Sequence, residues 1–344
     1  MTTDTTNLAV LIARAHAMAA TGKGLLAIDE SNGTCNRRFA SAGISQTEDM
    51  RRDWRALLLS TPGLSRCISG VILYDETIRQ TAADGRPLTQ LAHDAGLLIG
   101  IKVDIGAKPL AAHPGETVTE GLDGLRERLQ SYSGMGAGFA KWRAVFAVDD
   151  RHLPTRACIA ANAQALARYA VLCQEAGLVP IVEPEILMDG PHTQARCQDV
   201  TEAVLHSVFE QLVLHGAALE ALILKPNMVI AGQASTARNT AAEVAEATLQ
   251  CLRRSVPAAV AGIMFLSGGQ SAEQASAGLN AINLSGEQPW PLSFSFGRAL
   301  QYPALQIWAG QAANRVAAQD AVLHRARCNS AALTGAYRAA METV

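Results

Sequence analysis

Apolar residues along this chain are grouped into eight short segments, each flanked by turn or helical sequence. The centres of these segments lie roughly 30 to 45 residues apart, which is about the length of one strand plus one crossover helix. Amphipathic stretches separate most of them, as at 158–177 and 200–214. The pattern predicts eight strands, at residues 25–29, 68–74, 97–104, 139–146, 179–186, 221–228, 260–268 and 292–297.

Eight strand–helix units in series predict parallel strands that close into a (β/α)8 TIM barrel, an α/β fold. An open doubly wound sheet is the alternative, but it predicts G-x-G-x-x-G after the first strand, where this chain has DESNGT. The first 20 residues predict an amphipathic helix, residues 302–344 predict helix, and no linker divides the chain. We therefore expect one domain over residues 1–344, with an N-terminal helix and a C-terminal helical tail.

Composition narrows the class of protein. Hydrophobic residues make up 49% of the 344 and charged residues 17%, which favours a large core over disorder. A net charge of −2 without a basic block argues against a nucleic-acid partner. The chain has no apolar run of membrane-spanning length and no signal-type start, so we expect no membrane partner and a cytoplasmic location. Seven cysteines without a C-x-x-C pair indicate reduced thiols.

Lysine is scarce in this sequence. Only five of the 29 basic residues are lysines, and three of these, Lys102, Lys141 and Lys225, lie in predicted strands. Arginine can fill most surface roles of a cation, and a strand interior is a poor place for a solubilising charge. The strand lysines therefore indicate positions where an amine is needed chemically.

Charged residues recur toward the carboxyl ends of five predicted strands. A spacing of two places each pair on one face of its strand, and in a barrel that face points inward, since the outer face packs against helices. Barrel active sites lie at this end. A single buried ion pair is commonly structural, but so many desolvated charges together predict an active site. The cluster comprises Asp29, Lys102, Asp104, Lys141, Arg143, Glu183, Glu185 and Lys225.

Such a cluster suits Schiff-base chemistry. Burial and neighbouring cations both lower the pKa of a lysine, and a neutral amine attacks carbonyl carbon. Nearby carboxylates can then act as general acid and base. The residues alone leave Lys102, Lys141 and Lys225 all eligible as the nucleophile.

Two loops suggest anion binding at the same end. The seventh strand runs into FLSGGQS, and the eighth runs into SFGRAL with Arg298, the usual positions of a barrel phosphate site. Ser31 and Thr34 follow the first strand, with Arg37 and Arg38 just beyond. Two anion sites at one mouth predict a substrate with a phosphate at each end.

The histidines do not indicate a metal. None of the eight forms H-x-H, H-E-x-x-H or a cysteine–histidine set, and none ends a predicted strand. GMGAGF precedes a strand instead of following one, and GKG lacks the Walker spacing, so neither predicts a nucleotide site. We expect neither a metal nor a cofactor.

The strand-end motifs, taken in order, resemble those of class I fructose-bisphosphate aldolases along nearly the whole chain. They are GKGLLAIDES, GVILYDETI, GIKVD, FAKWR, PIVEPEIL, LKPNMV, FLSGGQS and SFGRAL. The resemblance implies a metal-independent (β/α)8 lyase, usually a homotetramer, of glycolysis and gluconeogenesis. Its reaction would be the reversible cleavage of fructose 1,6-bisphosphate to dihydroxyacetone phosphate and glyceraldehyde 3-phosphate.

The resemblance also implies roles for individual residues. The Schiff-base lysine of LKPNM would be Lys225, and the acid/base glutamate of EPE would be Glu183. The other catalytic residues implied are Lys141, Asp29 and Glu185. The substrate-binding residues implied are Ser267, Gly268, Gly269, Ser295 and Arg298 at the C1 phosphate, Ser31, Thr34, Arg38 and Lys102 at the C6 phosphate, and Arg143 beside them.

The chain departs from the family pattern at a few positions, and these leave fine substrate preference open. A phosphate-side lysine is Arg37 here, and a tyrosine before the last Gly-Arg is Phe296. Animal members end in a tyrosine that assists enamine protonation, whereas the last tyrosine here is Tyr337. Alternatives are a Schiff-base aldolase for fructose 1-phosphate or sedoheptulose 1,7-bisphosphate, a metal-dependent aldolase, and a non-catalytic binding protein with this fold.

Overall fold

A closed barrel of parallel strands forms the centre of the molecule, in a computed structural model that describes residues 5–149 and 152–343. The barrel strands are β1 Gly24–Ala27, β2 Ile68–Leu73, β3 Leu98–Lys102, β6 Phe139–Phe146, β7 Val179–Ile186, β8 Ile223–Leu224, β9 Gly262–Phe265 and β10 Leu292–Phe296. Their order around the barrel is β1-β10-β9-β8-β7-β6-β3-β2, which confirms the predicted (β/α)8 fold. An antiparallel hairpin of β4 Ala107–Pro109 and β5 Thr117–Thr119 stands outside the barrel.

Helices surround the barrel, and a side-chain oxygen caps the start of many of them. Thr155 accepts from the Cys158 amide, and Thr240 forms a capping box with Glu243. The helices are α1 Thr5–Met18, α2 Asn32–Ser41, α3 Glu48–Leu59, α4 Asp75–Arg79, α5 Leu88–Asp94, α6 Leu125–Gly134, α7 Arg156–Glu175, α8 Gln194–Leu214, α9 Ala241–Ser255, α10 Ala272–Leu284, α11 Arg298–Trp308 and α12 Arg315–Ala332. Short 3-10 turns lie at Leu64–Arg66, Leu219–Ala221, Ala312–Asn314 and Ala339–Glu342.

The register between β6 and β7 places the two glutamates of β7 beside residues of β6 that share their face of the sheet. Arg143 lies opposite Glu183, and Val145 lies opposite Glu185. The outer face of both strands is apolar because it packs against helices, so the charged side chains point into the barrel.

Helix α1 covers the amino-terminal end of the barrel. Leu11, Ala15 and Met18 are fully buried in a cluster that also includes Phe139 and Met264 from the strands. The guanidinium of Arg14 donates to the Gly138 and Gly177 carbonyls at 3.1 and 2.7 Å. The opposite end of the barrel is thus the one open to substrate.

The sixth and seventh strand predictions were too long by six and five residues, and the first, second, third and eighth were too long by one to three. The sixth strand, expected over 221–228, is regular only at Ile223–Leu224, because Pro226 has no amide hydrogen to continue the ladder. Lys225 still donates its amide to the Val182 carbonyl at 2.8 Å. The seventh strand, expected over 260–268, ends at Phe265, where the glycine turn begins. The β4–β5 hairpin was not predicted.

None of the helices in residues 5–149 and 152–343 is both long and apolar enough to cross a bilayer.

Candidate active site

A cavity of about 1220 Å³ opens at the carboxyl end of the barrel. Every site residue implied by the sequence lines it, although these residues come from loops and strands around the whole barrel. They are Asp29, Ser31, Thr34, Arg38, Lys102, Lys141, Arg143, Glu183, Glu185, Lys225, Ser267, Gly268, Gly269, Ser295 and Arg298.

Four charged side chains meet at the floor of this cavity. The amine of Lys141 lies 2.7 Å from Oδ2 of Asp29 and 3.2 Å from Oε2 of Glu183. The amine of Lys225 lies 3.2 Å from Oε1 of the same glutamate. Both lysine side chains and Glu183 are only 4% exposed. Glu183 therefore bridges the two lysines, one through each carboxylate oxygen.

The ionisation of these groups follows from their pairing. Burial by itself raises the pKa of Asp29, but the charges of Lys141 and Lys225 outweigh it and lower that pKa to about 2. The same two lysines lower the pKa of Glu183 against the effect of burial. Burial lowers the pKa of Lys141, yet Asp29 and Glu183 more than reverse this and raise it. The sequence expectation of a lowered lysine pKa is therefore wrong for Lys141, because carboxylates surround it.

The geometry separates the three candidate nucleophiles. Lys102 lies at the wall, where its amine donates to the carbonyl and to Oδ1 of Asp104 at 2.8 and 2.5 Å. Lys141 is held between two carboxylates. The amine of Lys225 has a single ion-pair partner among the described residues, and that partner is Glu183. All three amines have a carboxylate beside them, but Lys225 has the fewest contacts to give up within the described residues: one carboxylate oxygen, against two carboxylates for Lys141 and two oxygens of Asp104 for Lys102.

Arg143 and Glu185 form the adjoining wall. Nε of Arg143 donates to Oε2 of Glu185 at 2.5 Å. The amide of Arg143 donates to Oδ2 of Asp104 at 3.2 Å, so this carboxylate links the ends of β3 and β6. These contacts hold both residues in the wall of the cavity.

The glycine turn after β9 presents backbone groups to the cavity. Gly269 has φ +76°, and a Cβ there would lie 2.6 Å from Cβ of Met188, so only glycine fits without displacement. The side chain of Gln233 donates to the Gly269 carbonyl at 3.1 Å and ties the turn to the preceding loop. Across from it, the buried Ser295 hydroxyl has no hydrogen-bond partner and the exposed Arg298 no ion pair within the described part of the chain. This arrangement suits a phosphate group.

The loop after β1 offers a second set of anion-binding groups. Ser31 caps α2, accepting from the Thr34 amide at 3.4 Å and donating to its hydroxyl at 3.2 Å. Nη1 of Arg38 pairs closely with Oε1 of Glu30. The structure thus places Arg38 at the cavity but on a carboxylate that the sequence reasoning did not assign.

The departures from the family pattern lie beside the cavity lining or away from it. Arg37 donates to the Thr34 hydroxyl at 3.0 Å. Phe296 is fully buried against Phe294, with ring centroids 5.3 Å apart. The Tyr337 hydroxyl donates to Oε1 of Glu342 at 2.8 Å, and this tyrosine does not line the described cavity.

Several residues at the cavity were not assigned from the sequence. Asp75 accepts from the Tyr132 hydroxyl at 2.8 Å and pairs with Arg79 at 2.9 Å. Its position directly after β2 is the same strand-end signal that found the other charges. Gln233 carried no such signal, since it lies in a polar loop eight residues past Lys225.

One group of possible metal ligands was also missed. The ligand atoms of His324, Cys328 and Glu342 lie within 4.8 Å of one another. Arg325 already pairs with one oxygen of Glu342, and Tyr337 donates to the other. The group does not line the cavity.

Comparisons with known proteins agree with one another. A family model described as "Fructose-bisphosphate aldolase class-I" matches residues 10–344. The "Probable fructose-bisphosphate aldolase class 1" of Xanthomonas campestris is 53% identical over 325 residues, 94% of this chain and 97% of that one. "Fructose-bisphosphate aldolase 6, cytosolic" of Arabidopsis thaliana is 51% identical over 329 residues, 95% of this chain and 91% of that one.

A solved structure is similar over the same length. It is fructose-bisphosphate aldolase from Plasmodium falciparum, in complex with TRAP and a small molecule inhibitor. The two folds have a TM-score of 0.96 at 45% sequence identity, over 97% of each chain.

Proposed function

The chain belongs to the class I fructose-bisphosphate aldolase family, and we propose that Lys225 is the residue that forms the Schiff base in its reaction. The enzyme catalyses the reversible cleavage of fructose 1,6-bisphosphate to dihydroxyacetone phosphate and glyceraldehyde 3-phosphate. The names of its relatives favour this substrate over other phosphosugars. The observation that carries the proposal for Lys225 is its contact with Glu183 on the cavity floor.

Glu183 carries protons in the first half of the proposed mechanism. With its pKa lowered, it is a carboxylate in the free enzyme and can take a proton from the Lys225 ammonium. The neutral amine attacks the C2 carbonyl of the substrate and forms a carbinolamine. Glu183 returns the proton to the leaving hydroxyl, water departs, and a protonated imine remains.

Carbon–carbon cleavage follows from that imine. The 4-hydroxyl loses its proton to Glu183, oriented by Asp29, and the C3–C4 bond breaks. Its electron pair moves into the imine to give an enamine, and glyceraldehyde 3-phosphate leaves. Protonation of the enamine at C3 and hydrolysis release dihydroxyacetone phosphate and regenerate Lys225.

Lys141 provides the fixed positive charge of the site. The raised pKa keeps it an ammonium, and its contacts with Asp29 and Glu183 hold it at the floor of the cavity. A preorganised cation in a buried site stabilises negative charge that develops on the substrate oxygen.

The two phosphates are assigned to the two loops. We place the C1 phosphate at Ser267, Gly268, Gly269, Ser295 and Arg298, and the C6 phosphate at Ser31, Thr34, Arg38 and Lys102. The support is that the two sets approach the same cavity from β9–β10 and from β1–β3. Arg143 and Glu185, between them, would contact the sugar hydroxyls.

Borohydride trapping tests the nucleophile. The protein is incubated with dihydroxyacetone phosphate and EDTA, reduced with borohydride, digested and mapped by mass spectrometry. We expect the adduct on Lys225, and Lys225→Met should give none while retaining the circular dichroism spectrum of the barrel. Lys102→Met is the matched control and should still be trapped.

Other outcomes would change the assignment. An adduct on Lys141 or Lys102 would keep the chemistry and overturn the choice of lysine. No adduct in the folded wild type would contradict the Schiff-base mechanism for this chain.

Assembly and location are part of the same proposal. We propose a cytosolic homo-oligomer, most simply a tetramer, in which residues 1–344 form one domain. The relative from Arabidopsis thaliana is named cytosolic, and all seven cysteines are buried without disulfides.

A further inference from the structure

Glu30 is a carboxylate that pairs with Arg38, the arginine that we assign to the C6 phosphate. It follows Asp29 at the end of β1, and its side chain is 8% exposed. Its Oε1 pairs closely with Arg38 and also accepts from Nε2 of Gln301 at 2.7 Å. A negative charge in this position opposes the binding of a phosphate, both by repulsion and by occupying the arginine that would hold it.

A second arginine reaches Glu30 from the interior. Arg55, on α3, is 2% exposed, and its Nη2 lies 3.0 Å from Oε2 of Glu30. The same nitrogen donates to the Glu30 carbonyl at 3.3 Å, and Nη1 donates to Sγ of Cys35 at 3.5 Å. Glu30 is the single anionic partner of Arg55 among the described residues. A buried arginine is costly unless it is paired, so this contact explains why Arg55 is tolerated in the core.

The charges of the three side chains decide what Arg38 can do. Arg38 and Glu30 alone would form a neutral pair, in which the charge of the arginine is already balanced by the carboxylate. With Arg55 added, the group carries a net positive charge. Arg38 and Glu30 both line the cavity, and Arg38, 31% exposed, is the most accessible of the three side chains. Oε1 and Oε2 divide between the two arginines, so Arg38 can turn to a phosphate without leaving Glu30 unpaired.

We propose that Arg55 is a positioning residue that offsets the charge of Glu30 and thereby makes Arg38 available to the C6 phosphate. The inference rests on the proposed phosphate assignment. On this proposal, Arg55 influences substrate preference although it lies in the protein interior. The preference for fructose 1,6-bisphosphate over fructose 1-phosphate, which lacks the C6 phosphate, would depend on Arg55.

The test compares kcat/KM for these two substrates. In Arg55→Met the ratio for bisphosphate over monophosphate should fall about tenfold or more, the usual effect of losing one charged hydrogen bond to phosphate. Cleavage of fructose 1-phosphate should stay near the wild-type rate. Arg55→Lys keeps the charge and should keep most of the preference. Arg52→Met, on the same helix but paired with Asp49 and Asp53 at the surface, is the matched control and should leave the ratio unchanged.

A compensating variant separates charge from packing. If Arg55 acts by offsetting Glu30, then Glu30→Gln combined with Arg55→Met should bring the ratio back to within about threefold of wild type. A purely structural role predicts no such recovery. Should Arg55→Met fail to fold, Glu30→Gln alone decides: it should retain the preference for the bisphosphate, and a loss as large as that of Arg38→Met would overturn the proposal.

The Arg38→Met variant tests the phosphate assignment separately from the role of Arg55. Arg38→Met should lower the ratio if the phosphate assignment holds. A lowered ratio in Arg38→Met with an unchanged ratio in Arg55→Met would reject the role of Arg55 alone. An unchanged ratio in Arg38→Met would reject the phosphate assignment itself.

Discussion

Glu183 and Glu185 lie two residues apart on β7, face the same cavity and contact different partners. Glu183 is 3.2 Å from each of two buried lysine amines, whereas Glu185 pairs with Arg143 at 2.5 Å. A carboxylate beside an amine can exchange a proton with it, but a guanidinium does not give up its proton in proteins. We therefore expect the two residues to differ in function even though the sequence presents them as one motif.

This difference can be measured with a matched pair of variants. Glu183→Gln removes the proton carrier, so kcat should fall by about 10²- to 10⁴-fold, the usual contribution of a general acid–base residue. Glu185→Gln should act mainly on KM, because it loosens Arg143 without removing a proton-transfer group. Steady-state kinetics and melting temperatures check both. Equal losses of kcat in the two variants would contradict the assignment of proton transfer to Glu183.

At the scale of elements, the sequence predicts the strands that an apolar pattern marks, and it misses features that have no such pattern. All eight barrel strands were found, because each is a buried run that must be apolar on its outer face. The hairpin of β4 and β5 was missed, since all three residues of Ala107–Pro109 are exposed and the strand has no such pattern. The end of β8 was misplaced because backbone pairing, not apolar character, stops at Pro226.

The sequence indicated those candidate site residues whose charged side chains lie in, or shortly after, an apolar strand. Asp29, Lys141, Glu183 and Lys225 stand out because a charge is unexpected in an apolar strand. Arg55 gives no such signal, since arginine is an ordinary residue of an amphipathic helix. Its partner Glu30 lies 25 positions away, and only the packing of α3 against the β1 loop brings them together.

The turn after β9 provides a prediction at this scale. Gly269→Ala forces a Cβ into a left-handed backbone and toward Cβ of Met188 at 2.6 Å, which a backbone-anchored atom cannot easily avoid. We expect the turn to shift and KM for fructose 1,6-bisphosphate to rise about tenfold, as for loss of one good phosphate contact.

The neighbouring glycine is the control for that substitution. A Cβ at Gly268 would lie 2.9 Å from Oε1 of Glu185 and 3.0 Å from Cδ1 of Leu266, the ends of flexible side chains. Gly268→Ala should therefore raise KM less than Gly269→Ala. The reverse order would show that the conformation of the turn is not what positions the phosphate.

At the scale of the whole molecule, the charges on the floor connect distant parts of the barrel. Asp29 follows β1, Lys141 lies on β6, Glu183 on β7, and Lys225 follows β8. The contacts among them cross the interior between strands that are not all neighbours in the sheet. Protonation of the carboxylates should therefore break the ion pairs that connect these strands at the open end of the barrel. The packing of α1 against the other end does not depend on these charges.

The free energy of unfolding should therefore depend on pH through the ionisation of Asp29. Its pKa is about 2 in the folded protein against its ordinary value of 3.8, so folding favours the ionised form. This stabilisation is complete above the unfolded pKa and is lost as the pH falls through the folded value. It amounts to about 2 kcal/mol at neutral pH, from a shift of nearly two pKa units.

Urea unfolding, monitored by circular dichroism, should show a pH-dependent difference in the free energy of unfolding between wild type and Asp29→Asn. At pH 7 we expect Asp29→Asn to unfold with about 2 kcal/mol less free energy than wild type, and about half of that difference should remain at pH 3. Asp320→Asn, at an exposed position on α12, should match wild type throughout. A difference for Asp29→Asn that stays constant from pH 7 to pH 3 would mean that this residue stabilises the barrel mouth by packing or hydrogen bonding and not by its charge.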